Sequence, residues 1–196
     1  WKTDVGNLVG PFPAVWEKEF ASERTAPKYL VYACDGQDGF DLVAEGVGAP
    51  DVAPLNSPSN DCYWSPIPGR DGAMFASDRL GGRFDIFSTS PVAPIAELCS
   101  PEDDTAPYAF LLKDTLHVVF ASNRKGGFGD YDLWCSRMKD DRWEAPRPLR
   151  YANTRSAEFR PSVVVVDHHP TMIFSSNRPG GKGGFDLYYV EFESPY

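Results

Sequence analysis

The chain has 196 residues, with 19 Lys and Arg against 28 Asp and Glu, a formal net charge of −9. Nucleic acids and anionic membranes demand a cationic footprint that displaces counterions, so this balance argues against both as partners. An aromatic content of 14% together with 17 Gly and 18 Pro points to short strands and many turns, and no apolar run approaches the ~20 residues of a bilayer span.

Four segments share one grammar. VYACDGQDGFDLV (31–43), MFASDRLGGRFDIF (74–87), VFASNRKGGFGDYDLW (119–134) and IFSSNRPGGKGGFDLY (173–188) each run from a short apolar stretch through a glycine turn into a second one. The aromatics that precede the small residues, Tyr32, Phe75, Phe120 and Phe174, recur at a period that fits propeller blades of about 40 to 50 residues. The expected fold is all-β, a four-bladed β-propeller with four antiparallel strands per blade, formed as one domain.

In chain order, Trp1 to Leu8 stands in the phase of an outer strand, because Trp1 lies as far before Tyr32 as Trp143 lies before Phe174. This segment is expected to pair with the last blade and close the ring, removing an exposed edge. Residues 9–55 form the first repeat, in which Cys34, Asp35 and Gly36 stand where the later copies carry Ser, Asn or Asp, and Arg. Residues 56–100 form the second and 101–150 the third, whose Arg142-Trp143-Glu144-Ala145-Pro146 continues to Leu149 as an outer strand. Residues 151–196 form the fourth, with a polar turn at Asp167-His168-His169-Pro170 and no outer strand of its own. Cys34, Cys62, Cys99 and Cys135 have no C-x-x-C spacing, and buried free thiols are expected.

Between Trp143 and Phe192 the pattern W-x-x-P, E-x-x-P, F-x-S-N-R-x-G-G and D-[IL]-Y resembles the TolB-like propeller repeats of bacterial envelope proteins, which often accompany OmpA-like peptidoglycan-binding domains. The likeness weakens toward the N-terminus. It implies a periplasmic or outer-membrane-associated setting, with any export signal outside this chain, and a binding role for a protein or glycan partner.

The motif residues have a structural reading. Arg79, Arg124 and Arg178 end the second strand of their blades, and Asp61, Asp104 and Glu158 precede the inner strands, so an Arg fork and a carboxylate can pair bidentately. Asp41, Asp85, Asp132 and Asp186 open the third strands and can accept amides of the preceding glycine turn. Recurrence in nearly every repeat favours blade architecture over an active site, which is normally assembled once. The sharper reading puts Glu17, Asp61, Asp104 and Glu158 around the channel mouth, as a ligand site or as ligands for a hard cation such as Ca²⁺. Glu17 is the most available, since Gly36 replaces the arginine of its blade. His168 and His169 read as solvated turn residues. GGKGG leads into a strand, not a helix, and so is no phosphate loop.

The leading expectation is a monomeric, non-enzymatic scaffold or binding domain without a cofactor, with Trp16, Tyr63, Trp64 and Tyr108 as aromatic anchors or as core. The alternatives are a carbohydrate-active hydrolase or lyase using carboxylates at the mouth, and a spacer of a longer protein. The hydrolase loses these catalysts if each carboxylate is bridged to an Arg or a backbone amide.

Overall fold

The computed structural model describes residues 8–13, 29–36, 38–166 and 169–195. Fifteen strands form four antiparallel sheets among them. The first contains β1 (Leu8–Pro13), β2 (Tyr29–Asp35) and β3 (Phe40–Gly46). The second contains β4 (Asp61–Pro66), β5 (Ala73–Ser77), β6 (Asp85–Thr89) and β7 (Val92–Pro94). In the third, β8 (Asp104–Leu112), β9 (Thr115–Ser122) and β10 (Asp132–Lys139) are extended by the short β11 (Arg142–Trp143) and β12 (Arg147–Pro148), both on β10. The fourth contains β13 (Glu158–Val166), β14 (His169–Ser176) and β15 (Asp186–Glu191). This is the all-β propeller architecture anticipated from the repeats.

The second and third sheets are apolar on both faces, so each serves two cores. Along β9, Val119 and Ala121 turn toward β14 with Met172 and Phe174, while Val118 and Phe120 turn toward Met74 and Ile86. That alternation is the period of two that puts successive side chains on opposite faces. A third core joins Val31, Ala33 and Leu42 to Leu55, Trp64 and Phe75. The aliphatic residue that follows the third-strand Asp packs into the next sheet: Leu42 is 2% exposed, Ile86 and Leu133 0%. In β15 the same position, Leu187, is 76% exposed, and Tyr189 beside it 74%.

The strand connections follow local chemistry. Lys113-Asp114 and Asp140-Asp141 are two-residue hairpins with both residues at positive φ, the turn whose twist matches the flanking strands. Every inner strand has a register shift near its start, at Val9/Phe12, Cys62/Ser65, Thr105/Tyr108 and Phe159/Ser162.

These registers correct the reading of the first blade. Leu8 does not belong to a closing strand: it opens β1, pairs with Cys34 of β2, and so occupies the position held by Asp61 opposite Ser77, Asp104 opposite Ser122 and Glu158 opposite Ser176. Trp1 to Asn7 lie outside the described residues. Glu17 and Trp16 also lie outside them. The first blade has therefore lost both partners of the motif, with Leu8 for the carboxylate and Gly36 for the arginine. Gln37, Asp167 and His168 are likewise outside, and His169 is exposed at the start of β14.

Candidate functional site

The three arginines of the glycine turns lie against the three inner-strand carboxylates of their own blades. Arg79 meets Asp61 at 2.5 Å, Arg178 meets Glu158 at 3.2 Å, and Arg124 pairs with Asp104. Each guanidinium also donates to a serine hydroxyl (Ser77, Ser122, Ser176) and to a carbonyl of the preceding loop (Leu55, Leu98, Ala152). Each is flanked by aromatics of the second and third strands, as Arg178 is by Phe174 and Tyr188 at 5.2 and 4.5 Å. The carboxylates are fully buried and accept further bonds from Ser57, Ser100 or Thr154. A buried charge this fully partnered is held in place as an internal tie and has nothing left to offer a substrate.

Each of these carboxylates is thus tied to the arginine of its own blade. Among the described residues no group of three or more His, Cys, Asp or Glu could hold a metal ion. Asp132 and Asp186 accept amides of their glycine turns, Phe128 and Gly129 for the one, Lys182 and Gly183 for the other. Asp41 sits against Gly36 so closely that a Cβ there would clash with its carboxylate. Asp85 departs from the expected turn cap: its Oδ2 has no hydrogen-bond partner, Arg83 stands 3.7 Å away, and burial pushes its carboxyl above the usual range. The four cysteines are free thiols, and burial drives the Cys99 thiol up to about 12. Trp64 and Tyr108 are core residues, the Tyr108 hydroxyl donating to the Val163 carbonyl.

A different cluster forms at the start of the inner strands. Tyr63, Ala106 and Arg160 occupy the third position of β4, β8 and β13, and all three adopt left-handed backbone, with φ of 57°, 50° and 52°. Gly10 holds the matching place in β1. Tyr63 and Arg160 belong to the second and fourth sheets, yet Nε and Nη2 of Arg160 donate to the Tyr63 phenol oxygen at 3.3 and 3.2 Å. Residues of non-adjacent blades meet only near the axis, so this contact marks it. Phe159, next to Arg160, packs on Tyr131 with ring centroids 4.6 Å apart. The Tyr131 hydroxyl donates to Asp103 Oδ2 at 2.7 Å, while Asp103 Oδ1 accepts the Phe84 amide at 2.8 Å. Burial, then the bond to Asp103, pushes the Tyr131 phenol up; burial also raises that of Tyr63, with Arg160 opposing it. Both phenols are therefore protonated donors at neutral pH.

Of this cluster only Tyr63 stood out in the sequence. Arg160 could have been found from the E-x-x-P run itself, whose third position is Gly10, Tyr63, Ala106 and Arg160 in the four repeats and carries a charge only in the last.

No protein-family model matches the sequence, and no curated protein matches it either. Solved structures do match. An endo-arabinase from Bacteroides thetaiotaomicron VPI-5482 superposes with TM-score 0.58 at 12% identity over 84% of this chain and 70% of that one. A thermostable family-43 glycoside hydrolase gives 0.56 at 12% over 100% and 72%. An exo-1,5-α-L-arabinanase from a bovine ruminal metagenomic library gives 0.53 at 10% over 83% and 69%. At such identities the likeness establishes the fold. It corrects two expectations. The TolB-like resemblance does not hold, since no family model matches and these neighbours are propellers of a different kind. The expectation of a non-enzymatic scaffold is overturned as well, since the structures this chain superposes on are arabinan-degrading enzymes and a glycoside hydrolase.

Proposed function

We propose that the protein is a carbohydrate-active hydrolase that seats a sugar at the axial end of its inner strands. The observation that carries this reading is the cluster of Tyr63, Arg160, Phe159, Tyr131 and Asp103, in which three sheets bring aromatic faces, phenol donors, a cation and a carboxylate to one place. Aromatic surface with a few converging polar groups is the general make-up of a small-ligand site. The arabinan-degrading neighbours support the same class of substrate.

Glycoside hydrolysis uses carboxylates on either side of the scissile bond. Asp61, Asp104 and Glu158 are consumed by their arginines, so the carboxylate assigned to the chemistry is Asp103, which has no arginine partner among the described residues and is positioned by Tyr131 and the Phe84 amide. The test is release of reducing ends from arabinan, xylan and pectic polysaccharides. Release is expected from at least one of them, and Asp103→Asn is expected to lower the rate by about 10²-fold or more with the thermal midpoint retained. A folded protein that releases nothing from any polysaccharide overturns the reading, and a fully active D103N removes Asp103 from it.

A further inference from the structure

We propose that Arg160, seated on Tyr63, is the recognition subsite for a carboxylate-bearing sugar, so that the ligand is a uronic-acid glycan and not a neutral one. The proposal rests on the carbohydrate reading above and adds the charge of the substrate.

Six of the other arginines stand beside a carboxylate. Arg79, Arg124 and Arg178 are committed to buried carboxylates, and Arg70 and Arg137 to exposed ones, Asp141 and Glu144. Arg83 stands by Asp85. Arg160 is exposed, and among the described residues no carboxylate lies within ion-pair distance of it. Arg142, Arg150 and Arg155 are also exposed and outside the ion pairs, but Arg160 is the one of these that contacts Tyr63 across the axis, where its guanidinium is open to an anion from outside.

Its surroundings hold it ready. The guanidinium carbon is 5.5 Å from the Tyr63 ring centroid, and the phenol oxygen takes donors from Nε and Nη2 only. A guanidinium has five N–H donors in a planar fork, so donors remain for a ligand. A carboxylate is the anion that the fork matches bidentately, and stacking on an aromatic fixes the fork's plane before the ligand arrives. The backbone adds a second argument. The bulge at this position favours glycine, which β1 has as Gly10, yet β4 and β13 keep Tyr63 and Arg160 at positive φ. Side chains retained against backbone strain, and in contact with each other across the axis, are the residues of the bulge ring with a use beyond the fold.

The experiment is calorimetric titration of the purified chain with oligomers of galacturonate, glucuronate and mannuronate, each compared with its own methyl ester, which has the same ring and no charge. At least one acid form is expected to bind about tenfold or more tighter than its ester. High salt is expected to shrink that ratio. Arg160→Gln is expected to bring the ratio to about one, and Arg160→Lys, which keeps the charge and loses the fork, to leave an intermediate value and to serve where the glutamine variant fails to fold. Equal affinity for acid and ester, or a preference that the folded R160Q variant keeps, overturns the uronate subsite while the carbohydrate reading stands. No binding of either form, with no reducing ends released from any polysaccharide, overturns both.

Discussion

At the scale of single residues, the same residue type takes different parts according to what surrounds it. Asp103 and Asp104 are neighbours in sequence, yet one is fully buried against Arg124 and the other faces Tyr131 at the axial end. His117 is a third case. It is 5% exposed, stacks on Phe110 with centroids 5.3 Å apart, and contacts the Thr115 carbonyl through Nδ1. Burial disfavours its charged form and holds its pKa below the ordinary value. The folded protein then binds fewer protons here than the unfolded chain, so this contribution is fully present above about pH 6.5, the unfolded value, and is lost as the pH falls toward the folded one. His117→Gln cannot take up the proton. Its thermal midpoint is therefore expected to fall less than that of the parent between about pH 7 and pH 5, and identical pH profiles would show that His117 is not the group responsible.

At the scale of strands, the repeated bulge is the element that both shapes the blade and builds the site. Ala106 carries it in β8 at φ 50° with its methyl buried, whereas Ala121 lies in the regular ladder of β9 and is 0% exposed. Glycine at 121 removes a packed methyl and adds backbone freedom, and is expected to cost about 1–2 kcal/mol. Glycine at 106 removes a methyl too but relieves left-handed strain, so Ala106→Gly is expected to stay within about 0.5 kcal/mol of the parent in denaturant unfolding. An equal loss at both positions would mean that the bulge stores no strain. The strands of the second, third and fourth blades were legible because alternation and glycine turns write themselves into the residues. The first blade was not, because Leu8-Val9-Gly10-Pro11 keeps only the proline of the E-x-x-P run and Leu8 carries no charge to draw the eye. The axial cluster was hidden for a different reason. Tyr63 and Arg160 meet over a separation of 97 residues, and such a contact follows from the curvature of the whole assembly, which no local pattern records.

At the scale of the molecule, stability is carried between blades, since each of the three cores joins two neighbouring sheets. The third-strand aliphatic position is the probe of this arrangement. Leu133 is fully buried between the third and fourth sheets, and its amide and carbonyl are both held by the side chain of Asn153, which acts as a short surrogate strand. Asn56 serves Leu42 in the same way. Leu187 has the same place in β15 but is 76% exposed, so its methyl groups remove little surface from water. The energetic consequence follows from the cavity each truncation leaves. Leu133→Ala opens one inside a packed core and is expected to cost about 2–5 kcal/mol. Leu187→Ala opens none and is expected to cost less than about 1 kcal/mol. Chemical denaturation of the two variants side by side measures the difference directly. A Leu187 variant as damaged as the Leu133 variant would mean that, in solution, the outer face of β15 is covered as tightly as the faces between the other blades.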